Sequence, residues 1–294
     1  MRRGPDRRAV LTAAGVMLAA GVIPRAARAA AGAPRLAAVD WAMLETAAAI
    51  GHMPVAACEL IRFRADAVTP QIPEGVTDLG LRGAPNFELL QLVRPTLILS
   101  SPYYTRYEGR MARIAPVLSL PFYLPGEAPL PKAMHALTAL AARLDDPGAG
   151  QAAVRRADAD LDRLAAGLAA HADRPFALVE IGDARHLRAF GFDSLFGSTL
   201  TRLGLRNAWT EATAFSFLAP VPLERLATMP AARLIVIGDV PPEARRALAR
   251  SPLWRALPQV AGGRVHHLPQ MNAFGGVPAA LRFAAALEAV LSDA

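Results

Sequence analysis

The residues of this sequence that could perform acid–base, nucleophilic or metal chemistry are few and scattered. The chain has six histidines and one cysteine among 294 residues. Cys58 has no second cysteine to form a disulfide, and the adjacent His266 and His267 would point to opposite faces of a strand. There is no Gly-x-Ser-x-Gly nucleophile elbow and no Cys/His cluster spaced for zinc. We therefore predict that the protein is not an enzyme, with an exported α/β hydrolase as the remote alternative.

The positive charge of the chain belongs mostly to its N-terminus. Residues 1–29 contain six arginines and one aspartate, a net charge of +5 out of +7 for the whole chain, which leaves +2 for the rest. Lys132 is the only lysine, and no basic run with interleaved aromatic residues occurs. We therefore expect no nucleic-acid partner.

The first 29 residues are typical of an export signal. Arg7 and Arg8 precede an apolar stretch at residues 9–23, and a small-residue cleavage pattern follows at residues 27–29. Glycines and a proline interrupt the stretch, which is shorter than the roughly 20 apolar residues of a membrane span. The arginine pair indicates the twin-arginine (Tat) pathway, although a chance pair in an arginine-rich chain is the alternative. No lipobox cysteine lies at the cleavage site, so we predict a free periplasmic protein.

Two parts of the remaining chain share one pattern. Residues 86–99 and 222–236 each read as a short helix, a proline and an apolar run suited to a buried parallel strand. Glu88 and Glu224 lie in the first turns of these two helices. A further helix is predicted after each copy, at residues 106–114 and 242–249.

The two halves also begin alike. Strand-like runs at residues 35–39 and 175–181 are followed by helix-forming residues, and residues 151–171 have the apolar spacing of one long amphipathic helix. Alternating strands and helices predict parallel sheets. The predicted fold is α/β, with two lobes built on central, mostly parallel sheets and joined by one long interdomain helix. The predicted parts are an N-terminal lobe (30–148), a linking helix (149–173) and a C-terminal lobe (174–294).

Ligands of open α/β sheets bind beyond the carboxyl ends of the strands. Two facing lobes would therefore form a cleft from the loops that follow their strands. The predicted cleft loops are residues 82–86, 100–107, 214–219 and 270–275.

Several segments resemble the iron(III)-hydroxamate-binding periplasmic proteins of the FhuD type. In chain order they are DLGLRGAPNFELL (78–90), MARIAP (111–116), FGFDSLF (190–196), LGLRNAW (203–209) and SPLWRALP (251–258). The similarity runs from about Arg35 to the C-terminus. It implies a class III periplasmic binding protein with limited lobe closure, an ABC importer as partner and no catalysis.

The resemblance also implies site residues. In the family, an arginine and a tyrosine contact the iron-bound hydroxamates; the matching residues are Arg82 and Tyr104, with the adjacent Tyr103 as an alternative. Tryptophans of the second lobe complete the pocket in the family but are absent from this sequence. Their nearest substitutes are Phe215, Phe217 and Phe274. Trp41, just after the first strand, is a further candidate for the cleft.

The charge of the ligand can be predicted from the arginines available to it. A ferric trihydroxamate is a neutral complex, which one fixed arginine fork and a tyrosine hydroxyl can recognise. A tricatecholate complex is anionic and calls for an arginine cluster, for which Arg106 is the only further candidate, and haem calls for an axial ligand. We predict a monomer that binds an iron(III)–hydroxamate siderophore and carries no cofactor of its own, with a protein for haem, cobalamin or a catecholate siderophore as the alternative.

Glu88 and Glu224 have two compatible interpretations. A negative charge in the first turn of a helix stabilises that helix by about 0.3–1 kcal/mol. The resemblance implies in addition that each glutamate is a docking point, one per lobe, for the membrane subunits of the importer.

Overall fold

A computed structural model describes residues 33–213 and 220–292. The predicted signal segment and the loop at 214–219, which carries Phe215 and Phe217, lie outside the described residues. The strands of the first half are β1 (Leu36–Ala38), β2 (Ala56–Ala57), β3 (Thr77–Asp78), β4 (Leu97–Ser100) and β5 (Val117–Ser119). Its helices are α1 (Trp41–Ala49), α2 (Leu60–Asp66), α3 (Phe87–Leu92) and α4 (Thr105–Met111), with a 3-10 turn at Pro102–Tyr104.

Two helices lead from the first half into the second: α5 (Pro129–Arg143) and α6 (Pro147–Leu168), the latter extended by a 3-10 turn at Ala169–His171. The strands of the second half are β6 (Phe176–Ile181), β7 (His186–Ala189), β8 (Val221–Pro222), β9 (Arg233–Ile237) and β10 (Val265–Leu268). Its helices are α7 (Leu195–Arg202), α8 (Pro242–Arg250), α9 (Pro252–Ala256), α10 (Pro258–Ala261) and α11 (Val277–Ser292), with a 3-10 segment at Leu223–Thr228.

Each half forms its own five-stranded sheet. The strand orders are β3-β2-β1-β4-β5 and β10-β9-β6-β7-β8. All neighbours in the first sheet are parallel, and the second sheet is parallel except for the pairs that β7 makes with β6 and β8. This architecture confirms the predicted fold class.

The internal repeat is present in the structure, although the short helix of its second copy is the 3-10 segment Leu223–Thr228 and the start of the second half differs. Strands β4 and β9 and the helices that follow them lie where the repeat predicts. The prediction of helix-forming residues directly after residues 175–181 was wrong, because β7 follows β6 there. The Asp183 carboxylate accepts the backbone N–H groups of Arg185 and His186 at 2.6 and 2.8 Å, an Asx turn that reverses the chain into an antiparallel strand.

The helices between the sheets belong to the hydrophobic cores of both halves. The start of α6 packs Ala153 and Ala157 in the core of the first half, and its end packs Leu161, Leu164 and Leu168 in the core of the second. Helix α11 packs against α1 as well as against α6 and α7. The two halves therefore share one compact unit, Pro34–Ala294. In the described residues, no helix is long and apolar enough to span a membrane.

Candidate functional site

Three of the four predicted cleft loops lie at the carboxyl ends of parallel strands. Residues 82–86 follow β3, the segment from Ser101 follows β4, and residues 270–275 follow β10. The fourth loop, 214–219, lies outside the described residues. The geometry of the candidate site therefore rests on the first three loops.

Arg82 is held by its backbone and by the inner part of its side chain. The two carboxylate oxygens of Glu59 accept hydrogen bonds from the Arg82 backbone N–H at 3.0 Å and from Nε at 2.9 Å. The Arg82 side chain is 21% exposed, and its two terminal nitrogens donate to no residue in the described part of the chain. This arrangement fixes the guanidinium plane and leaves its outer edge available to a ligand.

A strained turn places Glu59 in position. Glu59 has left-handed backbone angles (φ 53°, ψ 43°) directly before α2, an unfavourable conformation for a residue with a Cβ. Asp78 connects the residue after Glu59 to the loop before Arg82, since its carboxylate accepts the backbone N–H groups of Leu60 at 3.0 Å and Gly80 at 2.9 Å. Strain of this kind concentrates at functional sites.

Trp41 lies beneath Arg82. The guanidinium carbon is 3.8 Å from the centroid of the Trp41 ring, and Trp41 is only 3% exposed. Its indole nitrogen donates to the Cys58 carbonyl at 2.9 Å, and its ring packs edge-on against Phe63. The structure thus places Trp41 as a platform for the arginine rather than on the open surface.

The two adjacent tyrosines differ sharply in exposure. Tyr104 is 4% exposed and Tyr103 is 83% exposed, and their rings meet edge-on at 5.2 Å. Burial raises the pKa of Tyr104; the negative charges of Asp40 and Glu59 raise it further, and the Arg82 charge opposes them. Tyr104 therefore stays a neutral O–H donor in the same electrostatic surroundings as Arg82. Its hydroxyl forms no hydrogen bond to any described residue.

Asp40 links the tyrosine loop to α1. One carboxylate oxygen caps the helix by accepting the Met43 N–H at 3.1 Å, and the other accepts the Ser101 hydroxyl at 2.8 Å. Burial raises the pKa of Asp40, and these hydrogen bonds and the Arg82 charge oppose the rise. The first turn of α1 thus fixes the start of the loop that carries Tyr104.

Arg106 and Tyr107 support the arginine loop from the side. The Tyr107 hydroxyl and an Arg106 guanidinium N–H both donate to the Gly83 carbonyl, the latter at 3.3 Å. The Arg106 guanidinium also lies over the Tyr107 ring. Arg106, the only further candidate for a cationic cluster, therefore already has partners within the protein.

Phe274 is half-buried and packs edge-on against Tyr123, with ring centroids 5.5 Å apart. Its backbone N–H donates to the Asn272 side-chain oxygen at 3.0 Å. Asn272 in turn donates to Glu45 of α1 at 2.8 Å. The Phe274 loop of the second half is thus attached to a helix of the first.

Sequence reasoning missed five residues that position this site: Asp40, Glu45, Glu59, Tyr123 and Asn272. One signal for Glu45 was present, because it is the only charged residue of the helix Trp41–Ala49 and lies one turn after Trp41. Asn272, two residues before Phe274 and close to a glycine pair, has the spacing of an Asx turn. No local pattern connects Glu59 to Arg82.

The predicted docking residues lie on the surface. Glu88 is exposed in the first turn of α3, and Glu224 is exposed in the first turn of the 3-10 segment Leu223–Thr228. Neither forms an ion pair with a described residue. Asn86 caps α3 by accepting the Leu89 N–H at 2.9 Å, so a cap precedes Glu88.

Two surface grooves of about 660 Å³ each lie elsewhere in the molecule. One is lined by Thr69, Pro70 and the outer face of α11, and the other by parts of α5, α6 and α7. Neither contains a predicted site residue. Within residues 33–213 and 220–292, no group of three or more His, Cys, Asp or Glu side chains is placed to hold a metal ion.

A family model, a sequence relative and a solved structure each match most of this chain. A family model for periplasmic binding proteins matches residues 36–271. The iron(3+)-hydroxamate-binding protein FhuD of Escherichia coli (strain K12) is 30% identical over 254 residues, which cover 86% of each chain. The structure of the siderophore-binding protein FhuD of Vibrio cholerae, bound to Fe3+–Desferal, has a TM-score of 0.81 at 24% identity and covers 88% of this chain and 98% of that chain.

A more distant structure has the same fold. The periplasmic catecholate-siderophore-binding protein VctP of Vibrio cholerae has a TM-score of 0.65 at 18% identity, with 87% and 93% of the two chains covered. These relatives are binding proteins, which agrees with the prediction that this chain is not an enzyme. The resemblance found in the sequence is confirmed, and the chain belongs to the periplasmic binding protein family.

Proposed function

We propose that the protein binds an iron(III)–hydroxamate siderophore between its lobes and delivers it to an ABC importer in the inner membrane. The observation that carries the proposal is that the Arg82 side chain is held in place while its terminal nitrogens are left without partners among the described residues. Glu59 and Trp41 fix its inner part, and its terminal nitrogens have no partner among the described residues. A fork held in this way loses little side-chain entropy when it binds the oxygens of a ligand.

The remaining contacts suit a neutral complex with an organic shell. Tyr104 supplies a hydroxyl donor beside Arg82, and Tyr103 supplies an exposed ring. Phe274 forms an apolar wall in the second half, and Phe215 and Phe217 are the proposed further aromatic contacts of that wall. The charge of Arg82 is already paired with Glu59, and the exposed Arg106 donates to the Gly83 carbonyl, so the site suits a neutral hydroxamate complex better than an anionic catecholate complex.

The iron would be cargo and would not be bound by the protein. The three hydroxamates of the siderophore fill its coordination sphere, so the protein would supply hydrogen bonds and apolar contacts and no metal ligand. The homologous FhuD of Escherichia coli is named for iron(3+)-hydroxamate binding, and the Vibrio cholerae structure contains Fe3+–Desferal. Both support a ligand of this class.

Three further parts complete the proposal. The arginine pair at residues 7–8 would direct the protein through the Tat pathway. Glu88 and Glu224, both exposed, would dock the loaded protein on the importer by pairing with basic residues. Charges of this kind contribute orientation and association rate more than affinity. The protein would act as a monomer.

A ligand panel tests the proposal. We expect isothermal titration calorimetry to show one-to-one binding of iron(III)–Desferal or ferrichrome by the mature protein. Binding of an iron(III)–tricatecholate, haem or cobalamin is expected to be much weaker. Tight binding of one of these in place of every hydroxamate would overturn the assignment of the ligand.

A further inference from the structure

A buried carboxylate of the first half caps a helix of the second. Glu45 is fully buried in α1. Its Oε2 accepts the backbone N–H groups of Gly276 at 2.7 Å and Ala279 at 3.1 Å, at the start of α11. These N–H groups lie where a helix has no internal acceptors. Caps usually come from the residue next to the helix, whereas this one comes from more than 200 positions earlier in the chain.

The other oxygen of Glu45 connects to the aromatic wall through Asn272. Glu45 Oε1 accepts the Asn272 Nδ2–H at 2.8 Å, and Asn272 Oδ1 accepts the backbone N–H of Phe274 at 3.0 Å. The orientation of the Asn272 amide follows from the Phe274 N–H, which requires an acceptor: the amide oxygen faces Phe274, and the NH2 group, a donor only, faces Glu45. Each polar group in the series Glu45–Asn272–Phe274 is therefore assigned as either a donor or an acceptor.

Packing leaves little freedom around this series. A Cβ on Gly275 would lie 2.6 Å from both Glu45 oxygens, so only glycine fits between Phe274 and the capped helix. On the other side, the Tyr123 hydroxyl donates to the Gly275 carbonyl, and the Tyr123 ring packs against Phe274. The segment from Asn272 to Gly276 is thus fixed by two residues of the first half.

We propose that Glu45 and Asn272 are positioning residues for ligand binding, which hold Phe274 and the start of α11 against α1 and thereby set the distance between the two walls of the site. The first wall depends on the same helix, because Trp41 supports Arg82 and lies one turn before Glu45. The inference rests on the proposed function, since Phe274 has a ligand to contact only if the siderophore binds between the lobes.

Reversal of the hydrogen-bond polarity tests this role without a change of shape. In Glu45→Gln the amide oxygen can still accept from Gly276 and Ala279, but the new NH2 group faces the Asn272 NH2 group. Asn272 must then give up either that contact or the Phe274 N–H. In Asn272→Asp, a second carboxyl group replaces the NH2 donor, and the two groups can lie together only if one of them holds a proton. In the double variant Glu45→Gln/Asn272→Asp, every donor meets an acceptor again and the net charge is that of the natural protein.

The readout is the dissociation constant for iron(III)–Desferal, with the melting temperature measured in parallel. We expect each single variant to bind roughly fivefold more weakly, as for one lost neutral hydrogen bond, and the double variant to recover to within about twofold of the natural protein. The matched control is Ser198→Ala, which removes the buried hydrogen bond from Leu130 N–H of α5 to α7 (3.2 Å) and leaves residues 272–276 untouched. We expect its affinity to be unchanged.

The outcomes separate the two proposals. If the natural protein binds hydroxamates and the single variants bind as tightly, Glu45 and Asn272 are structural only and this inference is wrong while the proposed function stands. The same conclusion follows if the double variant binds as weakly as the product of the two single effects, because then the residues are not coupled. If the natural protein binds no siderophore, the proposed function fails and the inference fails with it.

Discussion

The Arg82 guanidinium lies above Trp41, with its carbon 3.8 Å from the ring centroid, while Glu59 accepts the hydrogen bond from its Nε–H. This pairing links the predicted ligand contact to α1, the helix that begins at Trp41. Asp40, directly before that helix, binds the Ser101 hydroxyl of the tyrosine loop, and Glu45, one turn further on, binds Asn272 of the Phe274 loop. The first two turns of α1 thus position residues from three loops of the candidate site.

Glu59→Gln is expected to weaken binding of iron(III)–Desferal by roughly tenfold, as for a lost charge-assisted hydrogen bond. A glutamine oxygen can accept either the Arg82 backbone N–H or its Nε–H in the present geometry, but the NH2 group cannot accept the other. The guanidinium then loses its fixed orientation. Titration calorimetry measures the effect, and the exposed Glu74→Gln is the control. Equal affinities for the two variants would show that Glu59 does not position the arginine.

The pH dependence of stability should reveal Glu45. Burial raises its pKa from 4.5 to about 7, although the hydrogen bonds from Asn272, Gly276 and Ala279 oppose the shift. Between these values the folded protein holds a proton that the unfolded chain has released. The stabilisation that comes from keeping Glu45 protonated in the folded state is therefore fully present below about pH 4.5. As the pH rises from there through about 7, the free energy of unfolding falls by up to about 3 kcal/mol.

Glu45→Gln does not titrate and should remove that part of the slope. Three other ionisable groups interact electrostatically with Glu45. The Asp40 charge raises the pKa of Glu45 further, and Arg282 is the nearby cation. The third group, Tyr123, is kept neutral by burial. All three remain in the variant, so the difference between the two proteins isolates Glu45. Urea denaturation at pH 5, 6, 7 and 8 measures it. Parallel curves for the two proteins would contradict the elevated pKa.

The double variant Glu88→Ala/Glu224→Ala should bind iron(III)–Desferal normally and deliver it poorly. Both side chains are exposed, so their removal leaves the candidate site intact. Uptake of radioactive iron by cells that carry the variant measures delivery. The control is Glu243→Ala, an exposed glutamate at the start of α8. Normal uptake with the double variant would remove the docking assignment.

Replacement of Arg7 and Arg8 by lysine is expected to block export. The substitution keeps the charge of the segment, so the general secretory requirement for positive charge before an apolar stretch is preserved, while the arginine pair is lost. Immunoblots of periplasmic and cytoplasmic fractions measure the distribution. The control is the double variant Arg2→Lys/Arg3→Lys, which changes the other arginine pair of the segment and should be exported normally. Recovery of the Arg7→Lys/Arg8→Lys protein from the periplasm would contradict the Tat assignment.

The fold could largely be predicted from the sequence because its signals are local. The apolar runs that became β4 and β9 and the amphipathic spacing of α6 each lie within a few turns of chain. Strand β7 was missed because a short Asx turn at Asp183 decided between a helix and a hairpin, and one side chain carried that information. For the site, only the proposed ligand contacts could be predicted, through resemblance to the family.

The residues that support the ligand contacts could not be predicted, because their partners are distant in the sequence. Glu59 and Arg82 are 23 positions apart, and Glu45 and Asn272 are 227 positions apart. Such pairs follow from the packing of whole elements, and no spacing rule indicates them. Similarly, sequence reasoning gave Trp41 a place in the cleft, whereas its place beneath Arg82 depends on the left-handed turn at Glu59.

The most direct test of the central claim is the affinity of Arg82 variants for iron(III)–Desferal, measured by titration calorimetry beside thermal melting. We expect Arg82→Gln to bind roughly ten- to a hundredfold more weakly, since it loses charge-assisted hydrogen bonds worth about 1.5–3 kcal/mol, and to melt within a few degrees of the natural protein. Arg82→Lys, which keeps the charge without the fork, should fall between the two. The exposed Arg113→Gln should have no effect. If Arg82→Gln bound the complex as tightly as the natural protein, Arg82 would not be the ligand contact and the account of the site would be wrong.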